Sequence, residues 1–315
     1  MRVKFKLTKG LAEEEVNQHS LKRRDFLKDI ELEYKIVGSG KSILILETGI
    51  GGSFYNWYPF IQKIKKDFTI VMYHRAGYGN SPVSKELRTT KNIAEELYEL
   101  VERIGITEKF VLVGHSFGGL CVQQFSKMYP NKIKGLILID STSYNFNKLY
   151  NLDIPVMNSL ISIDKMVDNN MENSKKSKEE LNRKFNNMIV EYEDILPYSE
   201  ARDYEELITN PLFFKTIAKE FENWGISSEN IVEMGDFPNI PLIVIARDKE
   251  VSVKSFVEYD IPVEEAVLYE VAWRELQIEL SQLSKKGEIV IAEGSDHDVH
   301  LDRPDIIIQC LKRFL

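Results

Sequence analysis

The stretch that most constrains the fold is residues 110–129, FVLVGHSFGGLCVQQFSKMY, where an apolar β-type run meets Gly-His-Ser-Phe-Gly and then a helical pattern stopped by Pro130. A buried strand that turns this sharply into a helix has a strained apex, and only small residues two positions to either side allow the two elements to approach. Gly114 and Gly118 occupy those positions around Ser116. The spacing therefore predicts an exposed Ser116 hydroxyl above a helix N-terminus, whose free amides and partial positive charge suit a developing oxyanion. The bland alternative is an ordinary strand-to-helix turn in which the serine only caps the helix.

Further strands follow from continuous apolar runs: SILILE (42–47), FTIVMY (68–73), GLILID (135–140), PLIVIA (241–246) and EIVIAE (288–293). Runs without polar alternation belong to strands buried on both faces, and their alternation with amphipathic helices implies right-handed crossovers in a mostly parallel, twisted sheet covered on both sides. One such helix begins at Thr89 or Thr90, carries Ile93, Leu97, Leu100, Val101 and Ile104 on one face, and closes at Gly105. Another spans 262–284, a closing helix starts near Arg303, and Arg247-Asp248-Lys249-Glu250 reads as a loop. FLKDIELEYKIV (26–37) alternates apolar and polar residues, as an antiparallel hairpin at a sheet edge would.

In such sheets ligands bind beyond the carboxyl ends of the strands, which gathers residues 48–52, Ser116 and Asp140 at one edge. Residues 143–236 interrupt the pattern with polar, Lys/Glu-rich helical segments and no strand run. Both ends of this insertion leave the same edge, so it is expected to form a helical cap that gates the pocket. The expected organisation is an N-terminal extension (1–20), a core in two parts (21–142 and 237–315) and the cap between them.

Composition excludes some partners. A net charge of −8 disfavours nucleic acid and offers no basic membrane face, and no stretch approaches a signal peptide or a membrane span, so a cytoplasmic protein is expected. Cys121 and Cys310 sit in apolar helical patterns and read as buried small hydrophobes.

Strung together, LILETGIGGSFYNW, YHRAGYGNSP, VGHSFGG, LILIDST and EGSDHDVHLDRP resemble, in order and spacing, the motifs of the α/β-hydrolase superfamily. The resemblance covers the chain from about residue 29 onward, apart from the insertion. It implies a Ser-His-acid triad with Ser116 as nucleophile and His297, in the loop after the last strand, as base. The oxyanion donors it implies are the backbone amides of Ile50 and Phe117. Many members have His-Gly where Thr48-Gly49 stands and Asp where His74 stands; His74 and Arg75 are read as structuring their loop. Of the five histidines, His115 adjoins the nucleophile but should diverge from it, and His300 matches a second, structural histidine.

The acid has two candidates. Most members carry it after the strand before the last, which nominates Asp248, or Glu250 if the loop is bulged. Ala246 nevertheless stands where a glycine is usual, and Asp248 falls one residue short of the usual offset. Asp140 ends the strand after the elbow unit, where some members, including a group of haloalkane dehalogenases, place their carboxylate. Asp140 is preferred, with a turn-capping role as its alternative. Asp296, His297, Asp298, His300 and Asp302 also resemble a metal set, but no H-E-x-x-H or distant ligand motif completes it, so neither metal nor cofactor is expected. The expected activity is carboxylic ester hydrolysis on a small acyl substrate. The same triad would serve an amidase, a peptidase or a carbon-carbon bond hydrolase, and a non-catalytic ligand-binding protein could keep the fold.

Overall fold

The computed structural model describes residues 31–315; the expected extension (1–20) and the first arm of the expected hairpin lie outside them. In chain order the elements are β1 (Tyr34–Gly38), β2 (Ser42–Glu47), α1 (Tyr58–Ile64), β3 (Phe68–Tyr73), α2 (Thr90–Arg103), β4 (Phe110–His115), α3 (Phe117–Met128) and β5 (Ile133–Ile139). Then come α4 (Pro155–Ile161), α5 (Ile163–Asn173), α6 (Lys178–Ile195), α7 (Tyr198–Ile208), α8 (Pro211–Glu222) and α9 (Trp224–Glu233). The chain returns to the sheet with β6 (Leu242–Arg247), α10 (Lys249–Glu258), α11 (Val263–Ser281), β7 (Gly287–Ala292), α12 (Val299–Asp302) and α13 (Pro304–Lys312).

The strands form a seven-stranded sheet in the order β1-β3-β2-β4-β5-β6-β7. All neighbouring pairs are parallel except β1 with β3, where Tyr34 faces Tyr73. The edge strand is thus antiparallel as the alternation of 26–37 suggests, with β3 as its partner. A strand's side chains point alternately to opposite faces, and the apolar runs use both. Leu44, Leu46, Val111, Val113, Ile137 and Ile139 belong to one core. Ile43, Ile45, Phe110, Leu112, Leu136 and Leu138 belong to the other, under α2, α3 and α11.

The inserted helices do not build a core of their own. Leu181, Ile189, Tyr192, Tyr204, Leu207, Phe213 and Ile217 join the same apolar cluster as Phe54, Tyr55 and Trp57 and the sheet residues beneath them. Leu160 and Met188 are 44% and 41% exposed, so the apolar residues of α4 and α6 are only partly covered. Cys121 and Cys310 are buried free thiols, as their settings imply.

One helix escapes sequence reading. Residues 249–258 form α10 where a loop is expected, because Asp248 caps it by accepting a hydrogen bond from the Glu250 amide.

Candidate active site

The elbow is built by close approach. Ser116 has φ 53° and ψ −125°, and Asp140, one strand away, has φ 37°; these are two of the three non-glycine residues with positive φ among the described residues. Conformations of this kind persist only where the surroundings over-determine them. Here the Ser116 amide donates to the Ile139 carbonyl at 3.2 Å, and the Ser116 carbonyl accepts from Gly119 at 2.9 Å and Thr142 at 3.0 Å. A Cβ on Gly118 would lie 2.4 Å from the carbonyl oxygens of both Glu47 and Thr48, and one on Gly119 would lie 1.9 Å from Ser141 Oγ. Gly118→Ala is therefore expected to push the 48–52 loop off α3. The expected cost is about 1–3 kcal/mol in a thermal melt, together with loss of activity beyond that explained by unfolding.

The loop at residues 48–52 lies against the elbow, since a Cβ on Gly49 would sit 3.3 Å from Ser116 Cβ and 3.2 Å from His115 Nδ1. Its carbonyls are held from below by Arg75, which donates through Nη1 to Thr48 O at 2.8 Å and through Nη2 to Gly49 O at 2.9 Å. Nη1 also donates to Glu47 Oε1 at 2.7 Å, and Nε to Glu220 Oε1 at 2.9 Å. Tyr78 donates to Glu220 Oε2 at 2.6 Å while its oxygen accepts the Gly51 amide at 3.0 Å. Glu47 also accepts from the Tyr73 hydroxyl. Burial pushes the Glu47 carboxyl up to about 7 against the pull of Arg75. Glu47 and Arg75 thus shape the loop, consistent with a structuring role for Arg75. His74 is bridged to Glu33 and Ser53 and stacked on Phe54.

The late loop places its histidines differently. His297 Nδ1 lies 2.6 Å from Asp140 Oδ2. Asp140 is fully buried and also accepts from Trp273 Nε1 at 2.8 Å and from Arg247 Nη1 at 3.2 Å. Burial alone would raise its carboxyl, but Arg247, His297 and Trp273 together hold it well below the usual carboxylate range. Asp248 has other partners: beyond capping α10, it accepts the Gly294 amide at 2.9 Å, so its carboxylate ties the loop after β7 to the end of β6. Glu250 lies exposed in the first turn of α10. Of the two acid candidates, the structure brings Asp140 and not Asp248 to His297.

His115 Nε2 meets the His297 carbonyl at 3.0 Å, and burial holds its imidazole down to about 4, so at neutral pH it is an uncharged donor supporting the backbone of this loop. His300 is buried and stacked on Trp57 at 3.9 Å. The set resembling a metal site is split, and its Asp298 and His300 stay grouped with His115, with ligand atoms within 4.8 Å of one another. His297 turns to Asp140, and Asp302 accepts the Asp296 amide. Asp298 stays 3.9 Å from His115 and 4.0 Å from His300.

Ser116 and His297 open onto a cavity of about 350 Å³. Its wall is apolar. Leu149, Ile154, Met157, Ile161, Ile163 and Met166 come from the first part of the insertion, Phe221 and Trp224 from the junction of α8 and α9, and Phe256, Tyr269 and Trp273 from α10 and α11. The helices after β6 thus share the wall with the insertion.

A family model describing the alpha/beta hydrolase fold matches residues 42–176. The structure superposes on a thermophilic esterase from Thermogutta terrifontis with a TM-score of 0.58 and 18% identity, covering 90% of this chain and 93% of that one. The chain has the α/β-hydrolase fold. Among curated relatives, the chain is similar to the uncharacterized protein YqjL of Bacillus subtilis, with 30% identity over 103 residues, 33% of this chain and 41% of YqjL. It is equally similar, at 30% over 100 residues, to RutD of Escherichia coli, a proposed carbamate hydrolase, covering 31% of this chain and 37% of RutD. The chain spans well under half the length of the curated relatives it matches. Among the described residues, no helix is long and apolar enough to cross a membrane.

The residues that sequence reading missed are Trp273, Arg247, Glu270 and Glu220. Trp273 reads as one more apolar position on an amphipathic helix. Only the unsatisfied indole donor of a buried tryptophan hints that it needs a polar partner.

Proposed function

We propose that the protein is a serine hydrolase that cleaves carboxylic esters of small, apolar acyl groups. The observation that carries the reading is the 2.6 Å contact of His297 Nδ1 with a buried Asp140, in the same cavity wall as an elbow serine at positive φ. In this reading Ser116 Oγ attacks the carbonyl carbon while His297 Nε2 takes its proton. Asp140 accepts the Nδ1–H bond, fixing the tautomer and stabilising the imidazolium. The amides of Ile50 and of Phe117, the first residue of α3, receive the oxyanion. The proton passes from His297 to the departing alkoxide oxygen. A water molecule, deprotonated by the same histidine, then releases the acid from Ser116.

The cavity supports the substrate class. Its volume falls at the lower end of the range of about 300–1,000 Å³ for small-molecule sites, and its apolar wall suits a short acyl chain or a compact ring. The test is covalent labelling by a fluorophosphonate, with the modified peptide identified by mass spectrometry, beside turnover of p-nitrophenyl esters from acetate to decanoate. Labelling at Ser116 with a preference for short to medium chains is expected. Absence of both labelling and turnover would favour a ligand-binding protein. Turnover of a matched carbamate or amide with all esters refused would keep the triad and overturn the ester assignment.

A further inference from the structure

β6 ends in Arg247, a buried arginine at the edge of the site. Its backbone amide donates to Asp140 Oδ1 at 3.4 Å and its Nη1 to Asp140 Oδ2 at 3.2 Å. The other side of the guanidinium faces Glu270: Nη2 pairs with Oε1, and Nε donates to Oε2 at 3.4 Å. Glu270 also accepts from Ser252 Oγ at 3.0 Å, which fixes it against α10. Glu270 and Trp273 lie three residues apart on α11 and therefore share a face. One turn of helix thus supplies Asp140 with an indole donor and Arg247 with a carboxylate. The guanidinium is packed between Trp273, 4.9 Å from its ring centre, and Phe256, at 5.8 Å. Each guanidinium nitrogen of Arg247 thus has a carboxylate partner within the protein, and the residue also lines the cavity.

Arg247 Nη1 and His297 Nδ1 address the same oxygen of Asp140. An unbalanced guanidinium there would hold the carboxylate in place but oppose the imidazolium that proton transfer creates, because a like charge this close disfavours the protonated ring. We propose that Arg247 and Glu270 are a charge-neutral positioning pair, in which Arg247 clamps the Asp140 carboxylate and Glu270 cancels the guanidinium charge so that Asp140 keeps its full negative charge for His297. This rests on the acyl-transfer reading above. The other ionisable groups facing these residues are His115 and His300 beside His297, and Tyr269 beside Arg247. Arg274 donates to the Arg247 carbonyl, and Asp296 holds the His297 amide. Of these, Tyr269 faces both Arg247 and Glu270 as well as Asp140.

The test compares the full-length protein with Glu270→Gln and with the double variant Arg247→Met/Glu270→Met. Three readouts are taken: kcat and KM on a p-nitrophenyl ester across pH, imidazole NMR titration of His297, and thermal midpoint. Glu270→Gln leaves one uncancelled positive charge, so the His297 protonation midpoint and the acid limb of kcat/KM should both move down by about 0.5–1 pH unit. kcat should fall about tenfold with KM little changed. In the double variant the net charge beside Asp140 is restored, and the midpoint should return close to wild type while kcat stays low because a clamp is missing. A Glu270→Gln midpoint that does not move, as it would not if Glu270 carried a proton throughout, overturns the proposal. So does a lowered thermal midpoint with no titration change in either variant. If the wild-type protein turns over no ester while the NMR midpoints shift as stated, the reaction assignment fails and the charge pair stands.

Discussion

Replacing Ser116 by alanine is expected to reduce ester turnover by at least about 10⁴-fold in kcat, in line with the loss of a nucleophile from a cooperating triad. The fold should survive. The Ser116 side chain makes no capping hydrogen bond to α3, and the bonds that define the elbow come from its backbone amide and carbonyl, which alanine retains. Alanine meets the same steric penalty at φ 53° as serine, so the strain is nearly unchanged. A thermal midpoint within a few degrees of wild type and abolished fluorophosphonate labelling complete the expected result. Activity within a few-fold of wild type would remove Ser116 from the mechanism.

The second large effect separates the two acid candidates. Asp140→Asn should lower kcat about 10²- to 10⁴-fold, the range found when a triad acid loses its charge and the histidine its preferred tautomer. The variant should also lose stability. An asparagine amide cannot accept from His297, Trp273 and Arg247 together, and a buried guanidinium deprived of a carboxylate is costly. Because the Asp140 carboxyl is held below its ordinary range, its contribution to stability is present above the usual carboxylate range and is lost only as pH falls well beneath it. Its titration therefore cannot produce an activity limb near neutrality. Asp248→Asn should change kcat little, since asparagine caps a helix about as well as aspartate. Near-wild-type turnover in Asp140→Asn beside a crippled Asp248→Asn would reverse the assignment.

What could be read from the sequence was what short-range pattern encodes. The strands β2 to β6 declare themselves because residues buried on both faces are apolar at nearly every position, β7 by its apolar run although it is only half-buried, and the elbow because its glycines answer a local steric demand. Asp140 is favoured over Asp248 by the short offset of Asp248, by Ala246, and by its place at the end of the strand after the elbow, where some members carry their acid. The reason Asp248 stands aside is also local, since an aspartate two residues before Glu250 is a helix cap, and α10 was missed with it. Other contacts had no local trace. Arg75 and Glu220 are 145 residues apart, and nothing near either one announces the other. Glu270 and Trp273 sit on a helix whose pattern reads as simple packing, so their polar duties appear only when β5 and β6 are placed beside them.

The reach of Glu220 from α8 to Arg75 and Tyr78 has a consequence for motion. Detaching α8 would strand buried charges on both sides, so it should open only when the whole domain unfolds. α4 is held less firmly: it buries one residue, Met157, against six in α8, whereas α5 packs along α8. Backbone amides of α8 should therefore exchange with solvent deuterium at the slow, global rate, and those of α4 through frequent local openings. The insertion would then behave as a fixed post at α8 beside a looser flap at α4. Equally fast exchange in α8 would show that the ion pairs do not pin it.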